Sequence, residues 1–264
     1  WTLHSIDLYV NSNHQSTYTA HMLTTCMINN LRKSSTIRIV TGMNVYKHPP
    51  LPFGAEIEND GVWCQILNRP PNRSPRPALF LDRDGVIVEE VHYLSRVEDV
   101  RIIDGAAEII AHANAQNISV IIVTNQSGIA RGKFEWQHFI DVQEKILADL
   151  DTQNAYVNAV FACPFHSEGH TPYQHPDHPC RKPNPGMIEK AKRHFSIDKQ
   201  KSWIIGDRAA DLSAGKNGGL CRGIHVATGH GDDAEQNAAV LLKDTHFDVV
   251  LSSSIADAIK HLTF

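Results

Sequence analysis

Residues 78–85 read ALFLDRDG, an apolar run that ends in two aspartates one residue apart. A short apolar stretch of this kind suits the central strand of a parallel sheet, buried on both faces. Open α/β sheets build their sites just beyond the carboxyl ends of such strands, so Asp82 and Asp84 are expected at the mouth of a site. Two carboxylates held that close repel each other, and the arrangement serves best to hold a cation or to share proton transfer. Taken alone, the segment reads equally well as two solvated aspartates in a loop.

The pattern recurs. Residues 118–123 (ISVIIV) form a second apolar run that ends in Thr124, Asn125, Gln126, Ser127 and Gly128. Residues 203–205 (WII) form a third, ending in Gly206, Asp207 and Arg208. Between them a basic pair, Arg181 and Lys182, precedes Pro183-Asn184-Pro185-Gly186 at the start of a predicted helix. Parallel strands bring their carboxyl ends to one edge, so three carboxylates, a hydroxyl, two amides and two cations can converge there. That inventory fits a phosphate ester bound beside a divalent metal.

The elements that must position these groups alternate regularly from residue 78 onward. Helical apolar spacing marks residues 105–116, 135–150 and 186–195, and further strands are expected near 157–161, 223–227 and 247–251. The alternation predicts an α/β fold, a doubly wound (Rossmann-like) parallel sheet with helices on both faces. The stretch from Val88 to Arg101 is too short for a large cap domain, so an open site is expected. Residues 48–77 carry prolines at 49, 50, 52, 70, 71, 75 and 77 and are read as an extended, irregular arm, docked through Trp63, Ile66 and Leu67. Residues 1–47 are expected to form a poorly structured extension. The chain begins with Trp1, and the reading favoured for residues 1–42 is upstream sequence translated from a wrongly chosen start, with Met43 as the native one.

The four chemical segments carry a family resemblance. DRDG at 82–85, TNQSGIARG at 124–132, CRKPNPGM at 180–187 and GDRAAD at 206–211 resemble, in order and spacing, the haloacid dehalogenase (HAD) superfamily of phosphatases. Within it the chain is similar to the branch of D-glycero-D-manno-heptose 1,7-bisphosphate and histidinol-phosphate phosphatases, over residues 76 to 262. The resemblance implies an aspartyl-phosphate mechanism, with Asp82 as nucleophile and Asp84 as the acid that protonates the leaving oxygen and then the base that activates water. It implies Thr124 and Lys182 as phosphate stabilisers and Mg2+ held by the Asp82 side chain, the Asp84 carbonyl and Asp207. Asp211 is open to two readings, a further ligand or a brace for Asp207. Arg83, Glu90, Tyr93, Asn125, Gln126, Ser127 and Arg181 fall where the family binds substrate. Arg208 departs from the lysine common in close relatives, and Arg131 and Lys133 could attract an anionic substrate.

The segment CPFHSEGHTPYQHPDHPC at 163–180 matters for the same reason. Relatives often carry structural zinc here on a Cys-x-His pair followed by Cys-x-Cys. This chain keeps Cys163 and Cys180, has His178 in place of one cysteine, and has Phe165 at the second ligand position with His166 next to it. Cys163, His166, His178 and Cys180 therefore remain a chemically conceivable Zn2+ set, with a metal-free loop held by prolines as the other reading.

Composition narrows the rest. A net charge of −4 on 264 residues offers no general attraction to nucleic acid or anionic membrane. Five scattered cysteines do not make a disulfide framework, and a reducing cytoplasm is expected. The expected partner is a small phosphorylated metabolite, the expected state a monomer. Competing functions are a histidinol-phosphate or broad-specificity phosphatase, a polynucleotide 3′-phosphatase, and a catalytically silent metabolite-binding protein. The last is disfavoured because both aspartates of DRDG are present.

Overall fold

A computed structural model describes residues 46–70 and 74–262. The expectations for residues 1–45 lie outside the described residues. Three apolar runs make the centre: β3 (Ala78–Leu81), β4 (Ser119–Asn125) and β6 (Trp203–Gly206). All four β3 residues are fully buried, as a strand covered on both faces requires. β3 lies between β4 and β6 and pairs with both in parallel, with Leu81 opposite Ile122 on one side and Ile205 on the other. β5 (Ala159–Cys163) extends the sheet beyond β4, and β7 (Arg222–Val226) and β8 (Asp248–Ser252) extend it beyond β6. The chain thus builds outward in one direction from β3, then returns to build in the other. The reversal falls between β3 and β6, and such a switch point opens a crevice at the carboxyl ends of the strands.

Helices cover both faces. They are α1 (Ala106–Ala115), the short α2 (Ser127–Ala130), α3 (Trp136–Asp151), α4 (Gly186–His194), α5 (Ala209–Asn217), α6 (Asp233–Val240) and α7 (Ile255–Ala258). Side chains alternate across a strand, and residues 63 and 64 show which helix lies where. Trp63 stacks on Trp136 and meets Phe139 of α3, whereas the Cys64 thiol faces His194 of α4. α3 and α4 therefore lie on opposite faces. α1 packs on α7, where the Cα of Ala256 comes within 2.4 Å of where a Cβ on Gly105 would sit. Among the described residues, no helix is long and apolar enough to cross a membrane.

The proline-rich arm corrects the sequence reading. Two short strands form inside it, β1 (Ala55–Ile57) and β2 (Trp63–Ile66), and both are antiparallel, β1 to β2 and β2 to β5. The sheet is therefore parallel through six strands with an antiparallel edge of two. The prolines flank the strands rather than interrupting them, consistent with proline's missing N–H. Trp63 and Cys64 are fully buried, so this segment belongs to the core. Tyr46, assigned from sequence to the extension, stacks on Tyr173 with ring centroids 5.3 Å apart.

Candidate active site

Three strand ends deliver the chemistry. Asp82 follows β3, Thr124 and Asn125 close β4, and Asp207 follows β6. The backbone N–H of Asp82 donates to the Ile205 carbonyl, continuing the β3–β6 ladder and fixing the first aspartate. One carboxylate oxygen from each of Asp82, Asp207 and Asp211 lies within 4.8 Å of the other two, and all three residues are buried. Into this cluster comes Lys182, from the loop before α4. Its Nζ is 2.8 Å from Asp82 Oδ1 and 2.6 Å from Asp211 Oδ1, and it donates to the Val123 carbonyl at 2.9 Å. Asn125 holds the lysine's backbone from both sides, donating to its carbonyl and accepting from its N–H, each at 3.1 Å.

Electrostatics follow from burial. Burial works against the Lys182 ammonium, but Asp211 and Asp82 together raise its proton affinity, so it stays charged. Burial raises the proton affinity of Asp82; Lys182 opposes this, while Asp211 and Asp207 add to it. Burial, reinforced by the Asp211 charge, pushes Asp207 up to about 7. One ammonium among three carboxylates leaves the cluster short of positive charge, and hard oxygen ligands of this kind suit magnesium. The set therefore fits the ion. Asp211 is already committed: it pairs with Lys182 and, through Oδ2, accepts the Arg208 N–H that starts α5. It therefore anchors Lys182 and the start of α5, while an oxygen of it also lies within reach of Asp82 and Asp207. Close packing keeps Asp207 in place. A Cβ on Gly229 would stand 2.3 Å from Asp207 Oδ2, and one on Gly85 would stand 2.4 Å from it. Both glycines have positive φ, +59° and +80°, so only glycine suits either position.

The pH dependence has a definite sign. Asp207 keeps its proton in the folded chain up to about 7, whereas an unfolded aspartate loses it near ~4. Its contribution to metal-free stability is therefore full below the unfolded value and is lost as pH rises through the folded one. Magnesium, which needs the ionised carboxylate, should then raise the melting temperature more at pH 8 than at pH 5. Asp207→Asn should reduce that difference to the part carried by Asp82, whose proton affinity burial also raises, and a larger gain at pH 5 would contradict ligation by Asp207.

Asp84 is held differently. Arg83 reaches it through Nε and Nη2 at 2.9–3.2 Å, and Gln126 Nε2 donates to its Oδ2 at 2.9 Å. Gln126 also donates to Thr124 Oγ1 at 2.8 Å and accepts from Arg83 at 3.2 Å. Arg83 is 1% exposed, with its guanidinium beside the Phe139 ring. Arg83, Asn125 and Gln126 line the cavity as well as holding these groups. Their hydrogen bonds to Asp84, Thr124 and the Lys182 backbone position the reacting groups, while Arg83 Nη1 is buried without a partner.

The cavity in front of these groups has a volume of about 400 Å³, within the range of small-molecule sites. All seven residues assigned to substrate contact from sequence line it, and so do Arg131, Arg208, His166 and His230. Lys133 is exposed and is not among the lining residues. Arg131 donates to the Tyr93 hydroxyl at 3.2 Å and to His166 Nε2 at 2.8 Å. Arg181 is fixed by donating to the Phe165 carbonyl at 3.0 Å. Sequence reasoning missed His230, whose backbone N–H donates to Asp207 Oδ2 at 2.7 Å and whose ring lies 3.7 Å from Glu90. A main-chain donor leaves no residue-type signal.

The four zinc candidates do not converge. His166 is turned to Arg131 and the cavity, and burial, then Arg181 and Arg131, lower its proton affinity. Cys163 Sγ is 3.9 Å from His178 Nδ1, which also accepts the Cys180 N–H. Phe165, at the second ligand position, stacks on His178 with centroids 3.9 Å apart and planes 2° apart. Tyr46, Tyr173 and Trp136 complete an aromatic cluster, with Trp136 Nε1 donating to the Tyr173 hydroxyl at 2.7 Å. Ring packing thus organises the loop.

Comparison with known proteins agrees with this geometry. A family model described as HAD-hydrolase-like matches residues 179–253. A D-glycero-beta-D-manno-heptose-1,7-bisphosphate 7-phosphatase of Mesorhizobium japonicum is 43% identical over 163 residues, covering 62% of this chain and 75% of that protein. The alpha-specific counterpart from Photorhabdus laumondii is 36% identical, over 61% of this chain and 88% of its own. A crystal structure of a HAD-like phosphatase from Mesorhizobium loti superposes with TM-score 0.67 and 37% identity, covering 77% of this chain and 93% of that one. A D,D-heptose 1,7-bisphosphate phosphatase from B. bronchiseptica, crystallised with magnesium and phosphate, gives TM-score 0.59 and 26% identity, covering 71% and 98%.

Proposed function

Because the chain belongs to the HAD-like phosphatases, a family of phosphoric monoester hydrolases, we propose that it hydrolyses a small sugar phosphate of the D-glycero-D-manno-heptose 1,7-bisphosphate kind, with magnesium, through an aspartyl-phosphate on Asp82. The observation that carries this reading is the buried Asp82–Lys182–Asp211 array beside Asp207, with Asp84 on the adjoining wall. Asp82, the Asp84 carbonyl and Asp207 would hold the ion. When bound, magnesium supplies positive charge to the phosphate oxygens and to the Asp82 carboxylate.

This chain's residues do the rest. Asp82 attacks phosphorus, forming an O–P bond as the bond to the sugar oxygen breaks. Asp84, with a side chain 19% exposed, gives its proton to that leaving oxygen. It then takes a proton from the water that attacks phosphorus, which releases phosphate and restores Asp82. Lys182 and the Thr124 hydroxyl receive the equatorial oxygens as charge redistributes. Arg181 and Arg208, on the cavity wall, face the distal part of the substrate, where a second phosphate matches a guanidinium fork. Glu90 and Tyr93 take sugar hydroxyls. A zinc ion on the 163–180 loop has no part in this reading.

Phosphate release with magnesium tests it, across both anomers of heptose 1,7-bisphosphate, histidinol phosphate and simple sugar monophosphates. The expected result is the highest kcat/KM on one heptose bisphosphate anomer, and a large loss for the monophosphate lacking the distal group. Preference for histidinol phosphate, or equal rates on all esters, would overturn the substrate assignment.

A further inference from the structure

A second cluster lies apart from the cavity. Glu58 follows β1, Cys64 is on β2 and His194 ends α4, and none of the three lines the catalytic cavity. One potential ligand atom from each comes within 4.8 Å of the others. Cys64 Sγ is 3.7 Å from His194 Nε2. A tetrahedral zinc with bonds of about 2.3 Å to sulfur and 2.0–2.1 Å to nitrogen would separate the two by roughly 3.6 Å. The thiol and imidazole are thus already spaced for a shared metal. The Glu58 carboxylate is fixed through Oε2, which accepts from Lys190, and Lys190 also binds Asp60 at 2.7 Å. Such an outer contact orients a ligating carboxylate.

We propose that Glu58, Cys64 and His194 bind a divalent transition ion of the zinc class, tying the β1–β2 edge to α4. Charge balances: the thiolate and the carboxylate together neutralise a dication, and the thiol proton leaves to solvent on binding. His194 ligates as the neutral imidazole, its Nε2 lone pair on the metal and its proton on Nδ1. Arg69 Nη2, 3.2 Å from that Nδ1, must then swing away, and as an exposed side chain it has room to do so. Sulfur and imidazole ligation favours zinc over magnesium, so the two sites would sort their ions by donor type. His194 is half-buried, which leaves the fourth position open to water.

The test uses the full chain stripped of metal, titrated with Co2+ and back-titrated with Zn2+. The expected result is a thiolate-to-cobalt charge-transfer band at one equivalent, displaced by Zn2+. It should be lost in Cys64→Ser and His194→Gln and kept in Cys180→Ser and Asp82→Asn. His194 lies at a half-buried helix end, so His194→Gln should fold even if Cys64→Ser does not. Zn2+ should raise the melting temperature of the wild type and leave that of His194→Gln unchanged. Absence of a thiolate band, its survival in His194→Gln, or its loss in Cys180→Ser would overturn the assignment.

Discussion

Replacing Asp82 with Asn leaves a folded protein that releases phosphate more slowly by on the order of 10⁴–10⁶-fold, the scale expected when a covalent nucleophile is removed. The amide keeps the shape of the side chain and still accepts from the Arg83 N–H, which Asp82 Oδ1 does at 2.7 Å. It cannot form the acyl phosphate. The loss should appear in kcat, with little change in KM, because substrate would still meet Lys182, Thr124 and the arginines. Thermal stability of the metal-free protein should be equal to or above that of the wild type. The variant removes one of three mutually repelling buried carboxylates, and Lys182 retains Asp211 at 2.6 Å. Near-normal turnover would end the nucleophile assignment. A collapse in melting temperature would mean that the Asp82–Lys182 pair is structural.

Replacing Lys182 with Met should damage both activity and stability. Lys182 is 4% exposed, and its ammonium is the partner of two buried carboxylates. Removing one member of such an array costs about 3–5 kcal/mol because the remaining charges lie uncompensated. For a domain of this size that is a fall of roughly 10 °C in melting temperature. kcat should drop by about 10²–10³-fold from loss of phosphate stabilisation alone. The stability deficit should shrink at low pH. Without the lysine, the carboxylates have raised proton affinities in the folded state, so their stabilising contribution is present at low pH and lost as pH rises. A deficit that grows on acidification would contradict the role of Lys182 as counter-ion to Asp82 and Asp211.

How far the sequence reveals this arrangement depends on what carries each part. The strands β3, β4 and β6 are buried on both faces, so their apolar runs end abruptly where chemistry begins, and Asp82, Thr124 and Asp207 are legible at those ends. β1 and β2 are not, because strands of three and four residues between prolines show too little alternation to register. The amides of Asn125 and Gln126 line the cavity and also hold Lys182 and Asp84, and residue type cannot say which partner an amide will take. Arg83 is similar: beside Asp84 in sequence, it becomes that carboxylate's bidentate anchor only because the Phe139 ring and Gln126 close over it. In the 163–180 loop, a one-residue shift from Phe165 to His166 turns the imidazole from the loop interior to the cavity. Residue counting admits both outcomes, and side-chain direction decides between them.

Whether Asp82 carries the phosphoryl group is tested most directly by trapping it there. The enzyme would be quenched with borohydride during turnover of heptose 1,7-bisphosphate, followed by peptide mass analysis. Reduction of an aspartyl phosphate leaves homoserine in place of the aspartate. The expected result is homoserine at position 82, dependent on both substrate and magnesium. Undiminished phosphate release with position 82 unmodified, or modification at Asp84 in its place, would rule out Asp82 as the nucleophile.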